Sequence, residues 1–259
     1  MNPQGIYTLV SYGKALQRQM ETVANNLANV DTAGYKEDVP VFQSIFAQSF
    51  GTPSQSDEEV FAHADHLPPY TGVGTNFVSI VDMGKNLSQG RLVLTGNQLD
   101  MALANSEGYF TVDTPQGERF TRAGNFHLNQ DNQLVTADGF AVTGKEGPLL
   151  IEGSDVQVAE DGSVVVDGQR IGGLKIVTFP FAERLQKMGS SLFAPVDLAN
   201  NPRILEDVKL VQGSLESSNV EAIKELSRMI QANHAYTSMQ KALTLSDEMN
   251  RGAITLAEL

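Results

Sequence analysis

The feature that most constrains the fold is a regular apolar stripe near the start of the chain. Small or apolar residues recur at alternating intervals of three and four, which is the spacing of a coiled-coil seam: Ile6, Leu9, Gly13, Leu16, Met20, Val23, Leu27 and Val30. Asn2-Pro3 supplies a helix start, and the turn-forming run from Asn29 to Gly34 supplies its end. The pattern predicts a long helix within 1–36, and so narrow a stripe needs one or two partner helices.

A candidate partner helix lies at the other end of the chain, within 212–259. Ser218-Asn219-Val220-Glu221 has the spacing of a capping box, in which serine and glutamate satisfy each other's end of the helix backbone. The apolar positions that follow keep a helical period: Ile223, Leu226, Met229, Ile230, Tyr236, Met239 and Leu243. Asn233, Gln240 and Asp247 interrupt the second seam position, so this helix is predicted to be less strictly heptad than the first.

The middle of the chain has a different pattern. Between about 91 and 211, short β-rich runs alternate with turn residues, and the pairs Asp161-Gly162 and Asp167-Gly168 are strong hairpin signals. Because no long helical pattern interrupts these runs, we predict an antiparallel β domain over 76–211. Residues 37–75 are predicted to form an extended linker, since 51–70 is rich in Gly, Pro and Ser. The predicted fold class is α+β, with a discontinuous helical assembly domain (1–36 and 212–259) that encloses a central antiparallel β domain.

Composition limits the classes of partner. The 259 residues include 18 Lys and Arg against 31 Asp and Glu, so the formal charge is −13 and nucleic acid is not expected as a partner. The absence of cysteine removes disulfides and thiolate chemistry. No run approaches the roughly 18 apolar residues of a membrane span, so no membrane insertion is expected. The N-terminal segment lacks the pattern of a cleaved signal peptide.

The sequence gives no convincing catalytic, cofactor or metal site. Gly139 to Lys145 matches most of a phosphate-binding loop, but Glu146 stands where Ser or Thr must reach magnesium, and a hairpin turn is the better interpretation. His63-Ala-Asp-His66 has two imidazoles and a carboxylate, yet it lies in the acidic linker and favours a solvated loop. We therefore predict a protein that is not an enzyme, with no catalytic residues, no cofactor and no metal.

Several segments resemble the signatures of flagellar rod and hook proteins. The segment Ala24 to Lys36 (Ala-Asn-Asn-Leu-Ala-Asn-Val-Asp-Thr-Ala-Gly-Tyr-Lys) is similar to their N-terminal signature, and Gly213 to Val220 is similar to their C-terminal one. Gly117 to Phe126 and Gln133 to Gly139 look like the shared β-domain motif. Length and the single modest β domain resemble a proximal rod protein, with a distal rod or hook-type axial protein as the alternative. A β-rich binding module with an intramolecular helix pair is a remote alternative.

The resemblance implies a structural subunit of the flagellar basal-body rod, a tubular drive shaft that transmits motor torque to hook and filament and spans the periplasm. Its implied partners are copies of itself and homologous rod subunits in a helical lattice, together with the flagellar type III export apparatus. It also implies terminal helices that fold only on assembly. The sequence supplies a physical reason, because a two-seam helix pair buries little apolar surface against the cost of ordering the chain.

On this interpretation the residues of the terminal segments form the assembly interface, although an ordinary intramolecular helix pair would bury the same apolar positions. Asn26 and Asn29 are candidates for amide hydrogen bonds between subunits or for a solvated face and helix stop. Asn219 is a candidate interface residue or part of a helix start. The full predicted interface is Ile6, Leu9, Leu16, Met20, Val23, Asn26, Leu27, Asn29, Asn219, Val220, Ile223, Leu226, Met229, Ile230, Tyr236, Met239 and Leu243.

Overall fold

The computed structural model describes residues 3–47, 75–189, 191–197 and 199–257. Two helices flank a β-rich central region, so the α+β class is confirmed. The chain divides into two compact units. The first unit is drawn from the described parts of Met1–Asn25, Val39–Gly84 and Ile223–Leu259, and the second from those of Asn26–Asp38 and Lys85–Ala222.

Two helices and a two-stranded sheet account for the described part of the first unit. Helix α1 spans Pro3–Ala28 and helix α2 spans Ala222–Ala257. Strands β1 (Asp38–Ala47) and β2 (Thr75–Lys85) pair as a two-stranded sheet. The predicted long N-terminal helix is confirmed, whereas its predicted cap at Asn2 and the predicted linker segment 51–70 lie outside the described residues.

The start of α2 differs from the prediction. The helix begins at Ala222, three residues beyond Asn219, so Ser218 lies outside its first turn and no capping box forms there. The Ser218 hydroxyl instead accepts a hydrogen bond from the Val220 amide at 3.2 Å, a local turn that competes with helix. The capping-box prediction was wrong because the segment before Ala222 is extended and committed to contacts in the second unit.

Short strands dominate the second unit, which also contains a 3₁₀ helix at Ala182–Arg184. The strands are β3 (Leu92–Leu94), β4 (Met101–Leu103), β5 (Tyr109–Thr114), β6 (Gly117–Thr121), β7 (His127–Leu128), β8 (Leu134–Val135), β9 (Ala141–Val142), β10 (Val156–Val158), β11 (Ser163–Val166), β12 (Gln169–Gly173), β13 (Ile176–Thr178), β14 (Leu185–Lys187), β15 (Leu192–Pro195), β16 (Arg203–Ile204), β17 (Leu210–Gln212) and β18 (Ser214–Glu216).

The largest described sheet has the order β14-β15-β6-β5-β9-β8-β7, and β13 joins it by pairing with β5 and β16. A three-stranded sheet β10-β11-β12 and the pairs β17-β4 and β18-β3 complete the second unit as described. Each pairing for which a register is described is antiparallel. The main core of the second unit consists mostly of aliphatic side chains. It also contains Phe110 and Phe126, whose rings pack edge to face with their centroids 5.1 Å apart.

Turn chemistry explains the hairpins. Asp167 and Gly168 have φ values of 49° and 82°, the left-handed pair that a two-residue hairpin turn requires between β11 and β12. The predicted hairpin near Gly144 is also present, because the Gly144 amide donates to the Gly147 carbonyl at 2.8 Å. The phosphate-loop pattern therefore runs into a hairpin, in which Thr143 and Pro148 form an antiparallel bridge.

Candidate assembly surfaces and the buried junction

Helix α1 buries the predicted seam. Leu16 and Val23 are 4% and 2% exposed and Gly13 is buried, while Leu9, Met20, Leu27 and Val30 are partly buried. Ile6 lies within α1, but its side chain is outside the described set. The predicted stripe is thus buried or partly buried along α1, and Ala15 and Thr22, which lie off the stripe, are buried as well.

Helix α2 also buries a heptad seam, and the sequence prediction contains four of its seven positions. Glu225, Ala232, Met239 and Ser246 are buried at intervals of seven residues. The partly buried positions between them, four residues after each of the first three, are Met229, Tyr236 and Leu243. The prediction looked for the second seam position four residues after Met229, at Asn233. The packed residue is instead Ala232, three residues after Met229, and the seam also contains the polar residues Glu225 and Ser246.

A glycine marks where the two helices touch. A Cβ atom built on Gly13 would lie 2.4 Å from Met239 Cε and 3.5 Å from its sulfur. The missing side chain therefore lets the buried seam of α2 approach α1 closely, in the way that small residues permit at helix interfaces. Gly13 belongs to the sequence-predicted stripe, and Met239 is one of the predicted interface residues.

Three of the predicted interface residues do not belong to the buried seam. Ile223, Leu226 and Ile230 are 82%, 47% and 57% exposed. At 100° per residue they share one face of α2, well away from the face of Glu225 and Ala232. We call this set the outer stripe. The predicted interface thus divides into buried positions, packed within the chain, and an exposed apolar set.

The three family-like motifs meet in the second unit at a buried ion cluster, which we call the junction. Lys36 Nζ lies 2.5 Å from Glu216 Oε1, and Arg122 Nε lies 3.1 Å from Glu216 Oε2. All three side chains are at most 1% exposed. The Arg122–Glu216 contact is an ion pair without hydrogen-bond alignment, because neither Arg122 Nε nor Glu216 Oε2 has a hydrogen-bond partner among the described atoms.

Further polar contacts complete the coordination of the junction. Lys36 Nζ donates to the Ser88 carbonyl at 2.8 Å, and Glu216 Oε1 also accepts from the Gly90 amide at 3.0 Å. Arg122 donates to the carbonyls of Gly108 and Asn105, the latter at 2.9 Å. Burial without such partners would be very costly, so the surrounding backbone is arranged to satisfy these charges.

Burial shapes the electrostatics of the junction. Desolvation lowers the pKa of Lys36 and the nearby Glu216 carboxylate opposes that shift. Desolvation likewise lowers the pKa of Arg122, again opposed by Glu216. Burial raises the pKa of the Tyr109 hydroxyl, whose ring lies 5.6 Å from the Arg122 guanidinium. One carboxylate thus faces two buried cations.

The segments on either side of the junction are joined by one backbone hydrogen bond and by bonds of the Asn219 side chain. The Gly34 amide donates to the Glu216 carbonyl at 2.8 Å, and the Glu37 amide donates to Asn219 Oδ1, also at 2.8 Å. Asn219 Nδ2 donates to the carbonyl of Asn86 at 2.8 Å. Asn219 is therefore neither a helix cap nor an exposed amide, and its side chain fastens the chain just before α2.

The Asn26 side chain, near the end of α1, likewise makes hydrogen bonds to the segment that follows the helix. This side chain is 1% exposed, donates to the Asp38 carbonyl at 2.9 Å and accepts from the Tyr35 hydroxyl at 3.1 Å. Asn29 accepts from the Thr32 hydroxyl at 3.1 Å in the turn that follows. Both amides make hydrogen bonds within the chain, at the places where the prediction considered contacts between subunits.

Sequence analysis did not single out the junction residues. Lys36, Arg122 and Glu216 each lie inside a motif quoted for the resemblance, but they are far apart in sequence and belong to three different motifs. Glu216 is the single charged residue of its motif, but Lys36 and Arg122 share theirs with other charged residues, so the sequence signal was weak. Only the fold brings them within hydrogen-bonding distance.

The described residues contain no arrangement typical of catalysis. They hold no group of three or more His, Asp or Glu side chains able to bind a metal ion, and His63 and His66 lie outside them. A pocket of about 120 Å³ in the second unit has Asp138 as its single ionisable lining residue. Neither described helix is long and apolar enough to cross a membrane.

Terminal helices in contact, a β-rich middle and a purely structural ion cluster define a class of structural proteins that present helical surfaces. Comparisons with known families narrow that class. Residues 6–36 match the family described as flagella basal body rod protein, 104–166 match the flagellar hook protein FlgE/F/G D1 domain, and 211–256 match the flagellar basal body rod FlgEFG protein C-terminal family.

Individual relatives match over nearly the whole chain. The flagellar basal-body rod protein FlgG of Bacillus subtilis (strain 168) is 31% identical, covering 98% of each chain. FlgG of Buchnera aphidicola subsp. Schizaphis graminum (strain Sg) is 34% identical, covering 91% of this chain and 92% of its own. FlgF of Caulobacter vibrioides (strain ATCC 19089 / CIP 103742 / CB 15) is 29% identical, covering 96% of each. The chain belongs to the flagellar basal-body rod protein family. It is a structural rod subunit of the basal body and not an enzyme, as predicted.

Proposed function

We propose that the chain assembles with copies of itself and with homologous rod subunits through two levels of helix packing. The buried seams of α1 and α2 form a coiled-coil pair within one subunit. The outer stripe of α2 then contacts a helix of a neighbouring subunit. The observation that carries this proposal is the exposure of Ile223 and Ile230, at 82% and 57%, on a helix whose other face is already packed.

The composition of the α2 seam supports a helix pair that is marginal by itself. Glu225, Ala232 and Ser246 occupy three of its four most buried positions, so this seam buries little apolar area. Neighbouring subunits supply the remaining burial, and the helices gain most of their stability on assembly. A chain so constructed also suits export in an unfolded state through the flagellar type III apparatus.

The contact proposed for the outer stripe is heterologous, since it joins the outer stripe of one subunit to a different helix surface on the next. Contacts of this kind repeat without closing and build a helical tube. A tube made of such subunits transmits motor torque along a rod across the periplasm. Within the second unit, the junction and the bonds of Asn219 join the segment that follows α1 to the segment that precedes α2.

The test compares two single substitutions on α2 in the full-length chain. I230D places a charge in the outer stripe, whereas Q231D places the same charge on the adjacent exposed position, about 100° around the helix. We expect I230D to reduce sedimentable polymer at least tenfold and to leave the β-sheet circular dichroism of the monomer unchanged. Q231D is expected to polymerise like the wild type.

Equal polymerisation of I230D and wild type would contradict the outer-stripe contact. Equal loss in I230D and Q231D would also contradict it, because added charge alone would then explain the defect. The informative measurement is the critical concentration for assembly, determined by pelleting over a range of protein concentrations.

A further inference from the structure

Strand β3 has an open edge with unusual exposure of large apolar residues. Leu92, Val93 and Leu94 are 36%, 39% and 81% exposed, and all three pair with β18 on one side only. In the part of the chain that the structure describes, no strand pairs with the other side of β3. An exposed apolar edge is a template for pairing with another chain.

Hydrogen-bond parity identifies which backbone groups face that open side. The Ser217 amide donates to the Arg91 carbonyl at 2.9 Å, and the Thr95 amide donates to the Gly213 carbonyl at 2.8 Å. Bonded positions alternate in an antiparallel ladder, so residues 91, 93 and 95 face β18. The amides and carbonyls of Leu92 and Leu94 therefore face outward.

The outer edge of β10, in the same unit, is blocked by a side chain, whereas the outer edge of β3 is not. The side chain of Gln212 accepts from the Val158 amide at 3.0 Å and donates to the Val156 carbonyl at 2.7 Å. This amide group thus occupies the hydrogen-bonding positions along β10 that another strand would use. No comparable side-chain bond to Leu92 or Leu94 occurs in the described structure.

A second open edge lies on β16. Ile204 is 61% exposed, and β16 pairs with β13 on one side. The Leu205 amide donates to the Ile176 carbonyl at 3.0 Å, so by the same parity the amide and carbonyl of Ile204 face away from β13. Leu94 on β3 and Ile204 on β16 thus each direct their backbone amide and carbonyl toward the open side of their strand.

We propose that the open edge of β3 binds the open edge of β16 in a second copy of this chain, antiparallel and with Leu94 opposite Ile204. Charge complementarity supports this register, because exposed Arg91 then lies beside exposed Glu206 and Asp207 of the second copy. The contact is heterologous, so it links the β-rich units of successive subunits without closing a ring. It goes beyond the helix contacts proposed above and does not depend on them.

The absence of cysteine allows a direct cross-linking test in the full-length chain. Two single-cysteine variants, L94C and I204C, are mixed at polymer-forming concentration and oxidised. We expect a disulfide-linked dimer in the mixture, at a yield at least five times that in either variant alone. The matched control pairs L94C with I171C, since Ile171 is another exposed apolar strand residue, 39% exposed.

A mixture of L94C and I204C that gives no more dimer than L94C with I171C overturns the proposal. Charge reversal provides a second readout: R91E in the L94C chain is expected to lower the yield several-fold, and E206R in the I204C chain is expected to restore it. Failure of restoration overturns the antiparallel register. Adding I230D to both chains separates this contact from the helix contacts, because the cross-link is expected to persist when the outer stripe is disrupted.

Discussion

The substitution E216A tests whether the buried junction holds the second unit together. Glu216 is 1% exposed and is the carboxylate that faces both Lys36 and Arg122. Its removal leaves two buried cations without a counter-charge and leaves the Gly90 amide without its acceptor. Breaking a buried ion pair from one side costs about 3–5 kcal/mol. That is a large share of the roughly 5–15 kcal/mol by which a typical domain is stable.

The assay should report on the second unit alone, because a chain with two units need not unfold in one step. Hydrogen exchange of peptides covering β5 and β6, measured by mass spectrometry, gives a local free energy of opening for that unit. We expect this free energy to fall by about 3–5 kcal/mol in E216A. The segment 34–37 should lose its protection at the same time, since Lys36 in that segment loses its counter-charge.

The matched control is E118A. Glu118 pairs with Lys175 at 2.6 Å, but these side chains are 45% and 27% exposed, so the loss should be at most about 1 kcal/mol. A cost in E216A no larger than in E118A would refute the reasoning. The triple variant K36M/R122M/E216M removes every charge of the junction and should recover part of the loss. Recovery stays incomplete because Arg122 also satisfies two carbonyls.

Four glycine substitutions, two tests and two controls, probe the close approaches at Gly34 and Gly13. G34A should lower the free energy of unfolding in urea by at least about 2 kcal/mol, because Gly34 has a φ of 68° and an added Cβ would lie 2.2 Å from the Ala123 amide nitrogen. The control G139A, with a φ of 83° and no atom within 4 Å of the added Cβ, should lower it by about 1–2 kcal/mol. G13L should destabilise the helix pair by about 1–3 kcal/mol in thermal melts at the helical signal, since it overpacks against Met239. G252A, with open space around it, should instead stabilise α2 by up to about 1 kcal/mol, and the reverse ranking would contradict the contact.

Local pattern was sufficient for the helices and hairpins. The period of three and four from Leu9 to Val30 corresponds to the buried face of α1, because side chains at that spacing share one face whatever they pack against. Asp167-Gly168 specified a hairpin because few residue pairs tolerate left-handed backbone twice in succession. These predictions rest on short-range sterics and periodicity, which the sequence carries directly.

Local pattern failed where polar residues are buried. The predicted apolar stripe of α2 contains neither Glu225 nor Ser246, yet both occupy the packed seam of that helix. Ser218 was predicted to cap a helix, but α2 begins only at Ala222, and the segment before it is held by the bonds of Asn219 to Glu37 and Asn86. The bonds of Asn219 are long-range contacts, and no short sequence window contains both Asn219 and its partners.

The sequence by itself determined the α+β class, the long first helix, the hairpin turns and, through its motifs, membership in the rod family. Tertiary structure alone decided that Lys36, Arg122 and Glu216 share one buried site, although Lys36 and Glu216 are separated by 180 positions. It also decided which apolar residues of α2 are packed and which remain exposed. The physical reason is that periodicity fixes the face of a helix, whereas burial of a charge depends on partners that only the folded chain brings within reach.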